Sequence, residues 1–270
     1  MTDPNIFNII LVWPFLNILV ICFKVLSFFS IPFSLGFSII ALTVLIRIVL
    51  YPLTTAQLKA SKKMQEISPH LARLKERHKG DAKTLQQETM KLYKEFGVNP
   101  AAGCLPILIQ IPIIWGLYSV LNHIVKLGPG DILNQVNQVV YFDFLKISKI
   151  WDTHFFGLPL GQTPSQLLQS IGLIILFVPI ITGVLQFIQS KMLFPKSQKT
   201  PTTQKKQMDF TQAFQTQTTY LFPIMIGFFS YTFPIGLSIY WNTFTVFGII
   251  QQYLVQGKES LLFITQYLKR

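Results

Sequence analysis

The stretch from Leu35 to Tyr51 reads LGFSIIALTVLIRIVLY. It is apolar enough and long enough to cross a bilayer, yet it carries one arginine, Arg47. A charge at that depth costs about 2.5–3.5 kcal/mol on insertion scales. Whatever offsets that cost constrains the fold and the function. Charged residues are only 13% of the chain and hydrophobic residues 50%, where a soluble domain has about 25% charged. The charges also cluster between long apolar runs, the pattern of an all-α integral membrane protein crossing several times.

The segments follow from that alternation. Residues 1–34 are apolar but interrupted by Asn8, Asn17, Lys24 and Pro14, which breaks the helix ladder. They are expected to form an interfacial helix on the outer face, with an extra span as the alternative. The first span is 35–56. Residues 57–98 hold ten basic side chains against five acidic. They are expected to form a cytoplasmic hairpin of two amphipathic helices. Ser68-Pro69 signals a helix start, and Gly80-Asp81 a stop and a new cap. Met64, Ile67, Leu71 and Leu74 form one apolar stripe, and Leu85, Leu92, Tyr93 and Phe96 the other.

A second span at 99–125, an outer loop at 126–165 and a third span at 166–190 come next. A Gln-, Thr- and Lys-rich cytoplasmic loop follows at 191–219. Pro234-Ile235-Gly236 divides the last apolar run into spans at 220–233 and 235–255, and a basic tail occupies 256–270. The loops at 57–98 and 191–219 and the tail are positive, while 126–165 is neutral, so the positive-inside rule gives five spans. The N-terminal end of the first lies outside and the C-terminus in the cytoplasm. The net charge of +12 therefore reports topology, not nucleic-acid specificity. Cys22 and Cys104 have no metal or disulfide spacing. Leu19-Val20-Ile21-Cys22 is a poor lipoprotein box because Ile21 is bulky.

Arg47 lies ten residues before Gln57, or about 15 Å along a helix. That is far for snorkelling alone and favours a polar cavity opening to the cytoplasm. Partners are sought among Gln110, Gln186, Gln189 and Asn242, none of them acidic. Each of these amides would equally serve as glue between helices. Proton and cation pathways generally use acidic groups, so an unpaired positive charge argues against a pump. There is no catalytic constellation, cofactor motif or metal set, and no enzyme is expected. The basic hairpin is read as a solvated face, with a docking surface as the alternative.

Four runs carry a family resemblance. Thr43-Val-Leu-Ile-Arg47-Ile-Val-Leu-Tyr-Pro52-Leu-Thr resembles the first core span of YidC-type membrane protein insertases. Asn99-Pro-Ala-Ala-Gly-Cys-Leu-Pro106-Ile-Leu-Ile-Gln110-Ile-Pro112-Ile resembles the second. Gln186-Phe-Ile-Gln189-Ser-Lys191-Met and Phe233-Pro-Ile-Gly236-Leu-Ser-Ile-Tyr240-Trp241 resemble the third and fifth.

The resemblance implies five helices around a hydrophilic groove open to the cytoplasm and to lipid, in the bacterial plasma (inner) membrane. It implies that Arg47 lies in the groove, with Thr43, Gln110, Gln189 and Trp241 lining it or touching substrate. It also implies nascent membrane proteins as substrates, delivered by ribosomes and the signal recognition pathway. The protein would act alone or beside the Sec translocon, in contact with lipid. Some members of that family carry a large outer-face domain or a long basic ribosome-binding tail, and neither is expected from these 270 residues. A channel or small-solute transporter is the alternative class, and an assembly chaperone a third.

Overall fold

A computed structural model describes residues 2–78, 80–98, 105–126, 129–148, 151–193, 216–257 and 260. The Asn99–Cys104 part of the second-span signature lies outside the described residues, as does most of the 191–219 loop and of the basic tail. The chain is mostly helical and divides into two compact units. Asn8–Phe28 and Leu173–Leu193 are each long and apolar enough to cross a membrane, and a third candidate arises if Ser34–Val49 and Tyr51–Leu74 count as one.

The first unit is Met1–Val49, Ile109–Gln186 and Phe222–Phe247. Its leading helix α1, Trp13–Phe28, follows a π-helical segment, Asn8–Val12, without interruption. Pro14 therefore does not break the ladder as the sequence suggested. It lies just after the wide turn Asn8–Val12, where the hydrogen-bond register shifts and the run stays helical past the proline. α1 packs on α2, Ser34–Val49. The buried stripes Val12, Leu16, Leu19 and Leu35, Ile39, Leu42, Ile46 recur at three- and four-residue spacing.

The polar interruptions of α1 have structural partners. Asn17 is buried, donates to the carbonyls of Trp13 and Val139, and accepts from the Tyr141 N–H. Lys24 donates to the Phe144 carbonyl. These bonds fix α1 against helix α6, Pro129–Val139, and the 3-10 turn Asp143–Leu145. Ordered structure thus occupies what the sequence presents as a mixed loop. Asn17→Leu orphans the Val139 and Tyr141 groups at about 1–3 kcal/mol each. The variant is expected to unfold several degrees lower in a thermal melt, and an unchanged melt would rule out this role.

The 126–165 segment also holds a hairpin of β1, His154–Phe155, and β2, Leu158–Pro159, paired antiparallel. Beyond it the Leu160 carbonyl accepts the Gly236 N–H at 2.8 Å and the Gln162 carbonyl the Ile235 N–H at 3.0 Å. These bonds satisfy two N-terminal donors of helix α10, Ile235–Gln256, which start with no partner inside their own helix. Helix α5 is Leu105–Lys126. Helix α7, Pro164–Ile171, opens with a capping box from Thr163 and Gln166 and ends at Gly172, φ +78°. A 3-10 stretch, Leu173–Leu176, leads into α8, Phe177–Leu193. The apolar helix therefore begins after Gly172, not at residue 166, because only glycine takes that backbone angle freely.

Helix α9, Phe222–Thr232, stops before Pro234. It meets α8 through a buried hydroxyl chain in which Thr182 reaches Ser230 at 3.1 Å and Ser230 reaches Ser238 at 2.8 Å.

The second unit is Leu50–Leu108, Phe187–Leu221 and Gly248–Arg270. Its helix α3 runs from Tyr51 to Arg77 with Pro69 inside it. The helix does not start at Ser68-Pro69. The proline is exposed, so water reaches the carbonyl whose partner it removes. Helix α4, Ala82–Glu95, completes a hairpin over a core of Ile67, Leu71, Leu92, Tyr93 and Val98, with Met64 and Leu74 against it. Phe96 leaves the stripe because α4 ends at Glu95. Val98 takes the place in the core, its N–H on the Tyr93 carbonyl. At the other end of the unit, Gln251 donates to Thr54, Thr55 and the Tyr51 carbonyl, and Gln256 to the Leu58 carbonyl.

Asp81 caps α4 and accepts from the Thr84 N–H at 3.0 Å. Hydrogen bonds from Thr84, side chain first and then backbone, hold its carboxyl below the usual range. The charged cap thus supports α4 above the ordinary aspartate pKa of about 3.9, and that support is lost as pH falls through the lowered value. Amides 84–87 are expected to lose exchange protection on acidification. Asp81→Ala should remove that step, and its survival in the variant would assign it to another group.

Candidate functional site

Helix α10 gathers the first unit's polar side chains. Its sequence places Tyr240, Phe244 and Phe247 at four- and three-residue spacing, so the three rings share a face. α2 brings Arg47 to that face. Arg47 is 4% exposed. Nε donates to the Phe244 carbonyl at 3.1 Å and Nη2 to the same oxygen at 2.5 Å. Its central carbon lies 3.4 Å from the centre of the Phe244 ring and 5.8 Å from that of Phe247. Among the described residues no carboxylate pairs with it. A carbonyl and two ring faces attract a cation without neutralising it.

The sequence pointed to amide partners for Arg47. Its described hydrogen bonds go instead to backbone. Gln110 donates to the Tyr240 hydroxyl at 2.8 Å, and Tyr240 is fully buried. Trp241 donates through its indole N–H to Gln186 Oε1 at 3.1 Å. Thr43, also fully buried, returns its hydroxyl to the Ile39 carbonyl. Gln189 follows Gln186 by one helical turn on α8. Asn242 Oδ1 and Thr245 Oγ1 are buried and have no partner among the described residues. Arg47, Gln110 and Gln186 thus converge on Phe244, Tyr240 and Trp241 of α10, while Thr43 is satisfied within its own helix.

Tyr240, Phe244, Phe247 and Thr245 complete the setting. The aromatic three could have been found by spacing alone. Thr245 has no local signature, because most helical threonines return their hydroxyl to the preceding turn, as Thr43, Thr182 and Thr243 do here.

Around these groups the helices are apolar outward. Phe177, Ile180, Ile181 and Val184 on α8, and Ile224 and Phe228 on α9, are all about half exposed or more. In a membrane-embedded chain that surface faces acyl chains. The arrangement has a retained positive charge, two bound amides and a phenol around residues 240–244 of α10, and broad apolar flanks. It can bind and orient a polar group.

The family described as 60Kd inner membrane protein matches residues 26–260. Among similar proteins, one from Pelagibacter ubique described as "Membrane protein insertase YidC" is 34% identical over 259 residues, covering 95% of this chain and 42% of that protein. A Fusobacterium nucleatum protein of the same description is 32% identical, covering 84% of this chain and 88% of its own length. "Membrane protein insertase MisCA" of Bacillus subtilis is 33% identical, with 83% and 71% covered. The chain spans about half or less of several other relatives, 52% of the Streptomyces avermitilis protein and 33% of the Wolinella succinogenes protein.

Proposed function

The chain belongs to the 60Kd inner membrane protein family, and from that premise we propose that it is a membrane protein insertase. The observation that carries the reading is Arg47, a buried cation held by a carbonyl and two rings with no anion beside it among the described residues. Such a charge costs stability, and an activity that uses it accounts for the cost. The names of the similar proteins support the same reading.

In this proposal five spans surround a hydrated groove open to the cytoplasm of a bacterial plasma membrane. The N-terminal end of the first span lies outside, and the hairpin and C-terminus lie in the cytoplasm. A nascent span arrives from the ribosome and signal recognition pathway, with or without the Sec translocon. Its short polar outer segment enters the groove. Arg47, with Gln110, Gln186, Gln189, Asn242 and Trp241, substitutes for part of its hydration and lowers the desolvation barrier. Thr43 lines the groove beneath. The apolar part slides along the outward faces of α8 and α10 into lipid. Burial of apolar surface, at about 25 cal/mol per Å², drives the step without nucleotide.

The test is reconstitution. Purified protein in liposomes, given a single-span substrate with a short acidic outer segment and no nucleotide, is expected to yield protease-protected product well above empty liposomes. Folded protein that inserts no more than empty liposomes do would end the proposal.

A further inference from the structure

We propose that the 154–159 hairpin and the 141–145 turn are docked on the membrane, with Phe156 and the stacked pair Phe142 and Phe144 seated as aromatic tips in the headgroup boundary of the bilayer. This inference rests on the apolar helices, and not on the insertase reading.

The hairpin tip is built outward at a conformational cost. Phe155 packs so closely on Gly36 that a Cβ there would lie 2.0 Å from its ring. It also meets Phe37 edge-on at 5.3 Å. With Phe155 locked, Phe156 takes φ +49°, rides over Phe33 at 5.0 Å, and remains 68% exposed. Phe33 itself has φ +56°. Non-glycine residues avoid this region. Water offers no return for holding a phenylalanine out in it.

The second tip is anchored separately. Phe142 and Phe144 stack at 5.5 Å and are 59% and 70% exposed. Lys24 of α1 grips the Phe144 carbonyl, and Asn17 grips the Tyr141 N–H.

The hairpin tip lies by the turn between α1 and α2, on Phe33, and the second tip lies beside α1 at Lys24. There the exposed residues Ile21, Val25 and Phe28 form one stripe along the apolar helix α1. The aromatic surface thus continues a face already suited to lipid. Exposed phenylalanine rings with Lys24 beside them are the apolar and basic pairing of an element lying in the membrane interface, which favours lipid over a protein occupant. A ring seated there reaches about 5–10 Å into the headgroup and acyl boundary.

The experiment uses the full chain in phosphatidylethanolamine–phosphatidylglycerol liposomes, with Cys22 and Cys104 replaced by serine. An environment-sensitive fluorophore is attached at Phe156→Cys, at Phe144→Cys, and at the exposed control Asp152→Cys. Shallow doxyl-labelled lipid is expected to quench emission at 156 and 144 strongly, as for groups seated in the headgroup boundary. It should leave 152 bright. Phe156→Trp, read by brominated lipid, repeats the test with a conservative replacement. Labels at 156 and 144 that aqueous iodide quenches as well as at 152 would overturn the proposal. So would labels shielded from both quenchers, which would place a protein or a second copy there. Quenched labels in a preparation without insertion activity would leave this inference standing and count against the insertase reading alone.

Discussion

Arg47→Ala is expected to reduce insertion of an acidic-tailed single-span substrate by roughly 10- to 100-fold while the protein keeps its thermal stability. The first part follows from the size of a charge-assisted contact. A hydrogen bond to an ionised group is worth about 1.5–3 kcal/mol, and each ~1.4 kcal/mol is tenfold. The second part follows from what surrounds the guanidinium. Its acceptor, the Phe244 carbonyl, lies in mid-helix and keeps a backbone partner when the side chain is gone. Truncation therefore orphans no buried group. It relieves the cost of the charge, about 2.5–3.5 kcal/mol, against a lost cation–π contact of about 2 kcal/mol and a void. These nearly cancel.

Arg47→Met, which fills the space without charge, should be as stable and as inactive. Arg47→Lys keeps the charge but not the planar fork that sits on one carbonyl and one ring. It should retain part of the activity for acidic tails. Measured insertion equal to the parent in Arg47→Ala, across several acidic-tailed substrates and with the melt preserved, would show that the charge attracts none of them.

The features legible in the sequence were the local ones. Asp81 capping α4 needs only its own neighbours, and the stripe Met64, Ile67, Leu71, Leu74 needs only helical spacing. The break at Pro234 needs only the proline's missing N–H. Where the signs depended on distant chain, the sequence misled. Ser68-Pro69 carries every mark of a helix start, yet α3 runs through it because the ring faces solvent. Pro14 looks like a break, and a π turn absorbs it. The ordered parts of 126–165 rest on Asn17, Lys24 and the start of α10, all far away in sequence. At the candidate site, Arg47 identified itself by being alone. Its acceptor could not be read, because a backbone carbonyl has no sequence signature and every residue supplies one. The sequence drew attention to amides, but Gln110 is bound to Tyr240 and Gln186 to Trp241 instead, and Asn242 Oδ1 has no partner among the described residues.

Gly227→Val is expected to lower the melting temperature more than any other single change between α8 and α9, and Gly183→Ala hardly at all. The two glycines face each other across the helix contact. A Cβ on Gly227 would lie 3.3 Å from the Pro179 carbonyl and 3.6 Å from the Gly183 Cα, whereas one on Gly183 would meet the Pro223 carbonyl at an ordinary 3.5 Å. The obstacles are backbone, which no rotamer change removes. Small residues let helices approach where lipid gives no hydrophobic drive for association. Overpacking typically costs about 1–3 kcal/mol.

The separation also reaches Ser230, which lies one turn from Gly227 on α9 and bonds Thr182 on α8. Such a membrane hydrogen bond is worth about 0.6 kcal/mol. In a double-mutant cycle, Thr182→Val should therefore cost less in the Gly227→Val background than alone, because the bond is already broken there. The order of melting temperatures should run Gly183→Ala, then Gly227→Ala, then Gly227→Val, from highest to lowest. A reversed order, or strictly additive costs, would mean that the helices do not meet at these glycines.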